Sequence, residues 1–157
     1  MPTPQVEGWP SLPFHPSGIG LRALLDLTDA LEPLPPATSM AWVAEVHAPW
    51  IERRAELLAH ANEARRVLRG GPPSELGVGA ALHGHILLQT ANQLEDANLA
   101  ALPPEAAAAV RAPVFDLRQR ASAAFGVCVE HVQTPDLDGW RDGCRTRMRS
   151  LSLSLDR

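Results

Sequence analysis

Lysine and tyrosine are absent from the 157 residues, and all fourteen basic side chains are arginine. Together with heavy use of alanine, leucine and proline, this is the mark of GC-rich coding and points to a bacterial source rather than to a function. The formal net charge is -4, so the chain as a whole does not offer nucleic acid a basic surface. No apolar run approaches the ~18 residues that a membrane span requires. The start, MPTPQVEGWP, lacks the basic and apolar regions of a signal peptide. These absences lead to the expectation of a cytoplasmic protein with no membrane partner.

Cysteine is also scarce. Cys128 and Cys144 fit neither a disulfide framework nor a zinc knuckle, which need closer or more numerous partners. Both fall on apolar stripes, where a thiol behaves as a small hydrophobe. There is no Gly-x-Ser-x-Gly elbow, no phosphate-binding loop, and no histidine beside either cysteine in an activating arrangement. Nucleophilic catalysis therefore has no support, and the expectation is a protein that is not an enzyme. Before the C-terminus no segment alternates with the period of a strand, and no repeat of 20 to 50 residues is visible.

What is present reads as one globular domain: 45% hydrophobic and 20% charged residues, in a chain long enough to bury roughly two thirds of its unfolded surface without a metal or disulfide as a staple. Proline divides it. Residues 1–16 hold five prolines around Trp9 and Phe14 and have no helical period, so they form an extended arm anchored by its aromatics on the body or on a neighbouring chain. Residues 17–157 form the helical domain. Ser17 caps a first helix with Leu21, Leu24, Leu25, Thr28 and Leu31 at 3, 4 spacing, ended by Pro33, Pro35 and Pro36. Ser39 caps a second, with a kink or break expected near Ala48 because Pro49 lacks an amide proton and clashes one turn back.

From Pro49 the helix runs on to Arg69, with Ile51, Ala55, Leu58 and Leu68 inward, Asn62 a polar intrusion, and Gly70, Gly71, Pro72 and Pro73 as its stop. A third helix spans roughly residues 79–102, up to Pro103 and Pro104. A fourth starts in PEAAAAVR, is interrupted by Pro113, and resumes with the clearest amphipathic stripe: Val114, Leu117, Ala121, Ala124, Phe125, Cys128 and Val132. After the turn TPDLDG a last helix carries Trp140, Cys144, Met148, Leu151 and Leu155, although SLSLSL also alternates with the period of a strand. The fold class is all-α: a single-domain bundle of four to five helices with short, proline-marked connections and antiparallel neighbours.

Polar chemistry concentrates in the third helix. At about 100° per residue, His83 and His85 point about 160° apart and cannot share one ion. His83 is in register with Leu87, Ala91 and Leu94, the buried stripe of a core histidine hydrogen-bonded to a carbonyl or carboxylate across the bundle. His85 is in register with Gln89, Asn92 and Asp96, ordinary surface residues that read first as a solvated or partly buried polar face; if the stripe faces inward instead it forms a polar pocket, with Gly84 allowing close approach of another helix.

Glu52, Glu56, His60 and Glu63 share one face of the preceding helix. Metal-holding bundles use a Glu-x-x-His spacing from two helices; here the order is reversed, there is no second copy, and arginines stand beside the carboxylates. A metal reading joins Glu56, His60 and Glu63 to His83 or His85 and implies a divalent ion such as zinc, manganese or iron. Arg141, Arg145, Arg147 and Arg149 make a basic patch that would grip phosphates in a nucleic-acid regulator. The first expectation, however, is a non-catalytic binding, interaction or regulatory module without a cofactor, forming a homodimer or meeting a protein partner. The metal-binding bundle and the nucleic-acid regulator stand as alternatives.

Overall fold

Proline marks the helix boundaries here. The computed structural model describes residues 5–16 and 18–155. Among them there is no strand; the helices are α1 (Ile19–Thr28), α2 (Ala48–Val67), α3 (Pro73–Asp96), the short α4 (Pro104–Arg111), α5 (Val114–His131) and α6 (Asp138–Leu155). Pro73 and Pro104 occupy first-turn positions, where a missing N–H costs nothing. Pro113 separates α4 from α5, and Pro135 opens the turn before α6. The all-α bundle read from the sequence is the fold observed. No helix among the described residues is long and apolar enough to cross a membrane.

α3 is the axis of the bundle. Its buried positions run almost continuously from Gly77 to Leu87 and recur at Thr90, Ala91 and Leu94, because α1, α2, α5 and α6 all pack around it. α2 and α5 are antiparallel to it: Arg54 and Arg65 of α2 meet Thr90 and His83, while Val132, just past α5, and Phe125 meet Gly77 and Gly84. A Cβ at Gly84 would sit 2.6 Å from the ring of Phe125, so glycine here is what lets α5 lie this close.

Several expectations need correcting. Ser17, the expected cap of the first helix, lies outside the described residues. α1 stops at Thr28, whose hydroxyl donates to the carbonyl of Leu25, so Leu31 lies beyond it. There is no break at Ala48: residues Val43–His47 widen into a π turn, and the Ala48 amide donates to the carbonyl of Val43 five residues back. The wider turn relieves the clash between the Pro49 ring and the carbonyl behind it.

The buried face of α2 is Trp50, Arg54, Ala61 and Ala64; of the residues expected inward, Leu68 is buried just past its end and Ile51 and Leu58 are half-buried against the core, while Ala55 is not inward. Ala55 and Asn62 are exposed. A buried arginine on the true face hid the stripe. α3 begins at Pro73 and ends at Asp96, not over 79–102, because Gly77 and Gly79 are helical contact points rather than helix breakers. At the C-terminus α6 stays helical to Leu155, with Leu151 buried, so the alternation in SLSLSL is not that of a strand.

The largest correction concerns cysteine. Cys128 and Cys144 form a disulfide with a Cα–Cα distance of 6.4 Å, closed across a separation of 16 residues, and both are fully buried. α5 and α6 fold back on each other through the turn at Pro135–Leu137, and the two cysteines lie equally far on either side of it. Antiparallel packing therefore brings them face to face. Thiol titration of the denatured, unreduced chain is expected to find no free thiol. Reduction is expected to lower the unfolding free energy by about 3 kcal/mol, the amount for a closed loop of this length, seen as a lower urea midpoint. Two free thiols in the purified chain would contradict the bond.

Candidate functional site

The arm has no helical period, yet it reaches the core. Val6, Trp9 and Leu12 are buried, and Gly8 takes the left-handed conformation, φ 84°, that turns Trp9 inward. The Trp9 indole stacks on Trp140 at 4.9 Å between ring centroids, and the Arg147 guanidinium lies 3.8 Å from the centre of its ring. Arg147 also donates to the carbonyls of Gly143 at 3.1 Å and Gly8 at 2.9 Å. One arginine thus ties α6 to the turn that presents Trp9.

The indole N–H of Trp9 donates to His85 Nδ1 at 3.2 Å. An imidazole nitrogen that accepts carries no proton, so His85 is neutral and its remaining proton is on Nε2. Burial, with Arg147 nearby, pushes its pKa down to about 4. His85 therefore presents a fixed donor.

That donor opens on a groove of about 610 Å³ between the arm, the end of α1 and α3, lined by Glu7, Asp29, His85, Gln89, Asn92 and Gln93 among others. Gln93 is engaged at both ends of its amide: the nitrogen donates one N–H to the Leu31 carbonyl at 3.0 Å, and the oxygen accepts from Arg54 at 2.6 Å. Arg54 also reaches the Thr90 hydroxyl at 3.0 Å and the Glu32 carbonyl at 2.8 Å, and it lies over the Trp50 ring. This buried network fixes the floor of the groove. The amides of Gln89 and Asn92, half-buried on the same wall, have no partner among the described residues. A smaller hollow continues past them to Asp96.

His83 is 4% exposed and lies on the opposite side of α3, where its Nδ1 accepts from Arg65 at 3.2 Å. Its partner is a cationic donor, not the carbonyl or carboxylate that a core histidine usually finds. Burial first, and Arg65 and Arg120 after it, push its pKa down to about 4.

Of the metal residues read from the sequence, Glu56 and His60 are exposed on α2. Glu63 pairs with Arg66 at 3.1 Å, while His83 faces α2 and His85 faces the arm. No three His, Cys, Asp or Glu side chains converge among the described residues. The arginines of α6 separate in the same way: Arg141 pairs with Asp138 at 2.9 Å and Arg145 with Asp142 at 3.9 Å. Arg147 is held by the arm, and Arg149 is exposed. The sequence reading missed Arg54 and the link from Trp9 to His85. The only trace of Arg54 in the sequence is its place at i+4 from Trp50; the partners of the link are 76 residues apart and left none. Compared with known proteins, the chain matches no family, no curated sequence and no solved structure.

Both imidazoles are neutral when folded and take up protons at ordinary pH when unfolded. Stability is therefore level above about pH 6.5 and falls as pH drops from there toward 4, by on the order of a few kcal/mol for the pair. Urea midpoints measured at pH 7.5, 6 and 5 are expected to decrease in that order, with a shallower decline in His85→Gln. A midpoint independent of pH over this range would contradict the neutral assignment.

Proposed function

We propose that this chain is a non-catalytic binding module and that its recognition surface is the groove beneath the arm. The observation that carries this reading is the unpartnered pair of amides, Gln89 and Asn92, beside His85, whose donor is fixed by Trp9. Groups of this kind inside a hollow are suited to selecting a small polar ligand. They are not arranged for bond-making: the imidazole is engaged at Nδ1 and has no nucleophile among its bonded partners.

The expectation of self-association is favoured by a different surface. Ile19 is 84% and Val67 60% exposed, and they flank an apolar hollow between α1 and α2. The arm does not serve this reading, since its Trp9 is buried against its own chain. The metal and nucleic-acid readings draw no added support from the geometry, because the candidate ligands are dispersed and three of the four arginines are engaged. The disulfide, with both sulfurs out of solvent, favours work in an oxidising compartment over the cytoplasmic expectation.

Amide spectra of the isotope-labelled chain, recorded against mixtures of sugars, amino acids, nucleosides and organic acids, test the proposal. The expected result is a ligand whose perturbations centre on His85, Gln89 and Asn92, bound at least tenfold more weakly by Trp9→Ala, which releases one wall of the groove. Perturbations centred on Ile19 and Val67, with a concentration-dependent mass in solution, would favour the self-association surface instead.

A further inference from the structure

The groove beneath the arm limits the chemistry of what it can hold, and the argument rests on the binding-module reading above. Its free neutral groups include the Nε2–H of His85 and the side-chain amides of Gln89 and Asn92, each amide offering two donors and an acceptor, with the Gln5 oxygen and the second N–H of Gln93 beside them. Such groups match hydroxyls, which also donate and accept. The guanidinium of Arg147 lines the groove, but its terminal nitrogens are held by the carbonyls of Gly8 and Gly143 and its plane covers Trp9. Glu7 and Asp29 also line the groove, and neither has an ion-pair partner among the described residues.

Among the described residues an anionic ligand would therefore meet two carboxylates and no free cation, whereas hydroxyl groups can donate to both. Flat heteroaromatic ligands are disfavoured too, since the Trp9 ring is stacked on Trp140 and does not line the groove. The wall is more polar than apolar, with Val6, Leu31 and Leu88 contributing its apolar part. A volume of about 610 Å³ falls within the roughly 300 to 1,000 Å³ usual for small-molecule sites. We infer that the groove is a site for a neutral polyhydroxylated small molecule, a sugar or cyclitol, held by Gln89, Asn92 and the Nε2–H of His85, with Glu7 and Asp29 accepting from its hydroxyls.

The test uses the full chain with its disulfide intact, titrated with glucose, mannose, ribose, sucrose, trehalose and myo-inositol, and with glucose 6-phosphate and gluconate as anionic counterparts. Binding is read by calorimetry and by tryptophan fluorescence. The expected result is saturable binding of at least one neutral compound, at least tenfold weaker binding of the anions, and at least tenfold loss in the double variant Gln89→Leu, Asn92→Leu. Both positions are half-buried and unpartnered, so that variant is expected to keep the wild-type circular dichroism and melting temperature. A neutral sugar bound equally by the variant would place binding elsewhere and overturn the groove itself. Preference for the anions, abolished in the variant, would overturn the ligand class and leave the groove standing. No binding of any neutral compound at millimolar concentration would also overturn the class.

Discussion

The contact on which the rest depends is the seat of Trp9. An arm without helical period has no regular hydrogen-bond ladder of its own, so its order must come from side chains. Trp9 supplies it by three interactions at once: stacking on Trp140, lying under Arg147, and donating to His85. Aromatic pairs and cation–π contacts contribute about 0.5 to 2 kcal/mol each beyond buried area, and here they act on one ring. Arg147 also binds the Gly8 carbonyl, so the turn, the ring and α6 are one unit. Without that unit the groove loses a wall and His85 loses its fixed tautomer.

The same unit links the groove to the disulfide. Cys144 and Trp140 are buried on the same helix, and Cys128 anchors that helix to α5. α5 in turn packs on α3 through Phe125 and Gly84, one residue before His85. The polar wall on α3 and the aromatic clasp on α6 are thus held in register from both sides. On the far side, Arg54 and Gln93 fix the loop after α1, which sets the opposing edge.

Much of this was legible in the sequence, for physical reasons. Helix punctuation by proline is local chemistry, so the connections at Pro103, Pro113 and Pro135 could be read directly. The 3.6-residue period placed His83 on the buried stripe and His85 in line with Gln89 and Asn92, and those last three residues do line one hollow. What periodicity cannot report is contact between distant segments. The disulfide requires knowing that α5 and α6 turn back on each other, although the symmetry of Cys128 and Cys144 about the TPDLDG turn was a usable signal. The face of α2 was misread because Arg54 interrupts an otherwise apolar stripe of Trp50, Ala61 and Ala64, and a charged residue is assigned to solvent unless its partners are known. Trp9 and His85 are 76 positions apart, beyond any local pattern.

The most direct test of the account is the state of His85 in solution, read from long-range ¹H–¹⁵N spectra of the histidine rings at neutral pH and on lowering the pH. The account predicts a neutral ring protonated at Nε2 and bare at Nδ1, with no protonation until well below pH 6, and a loss of the Nε2–H tautomer preference in Trp9→Phe, which removes the donor. A ring protonated at Nδ1, or one that titrates near 6.5 in the wild-type chain, would contradict the seat of Trp9 and with it the groove that the seat closes.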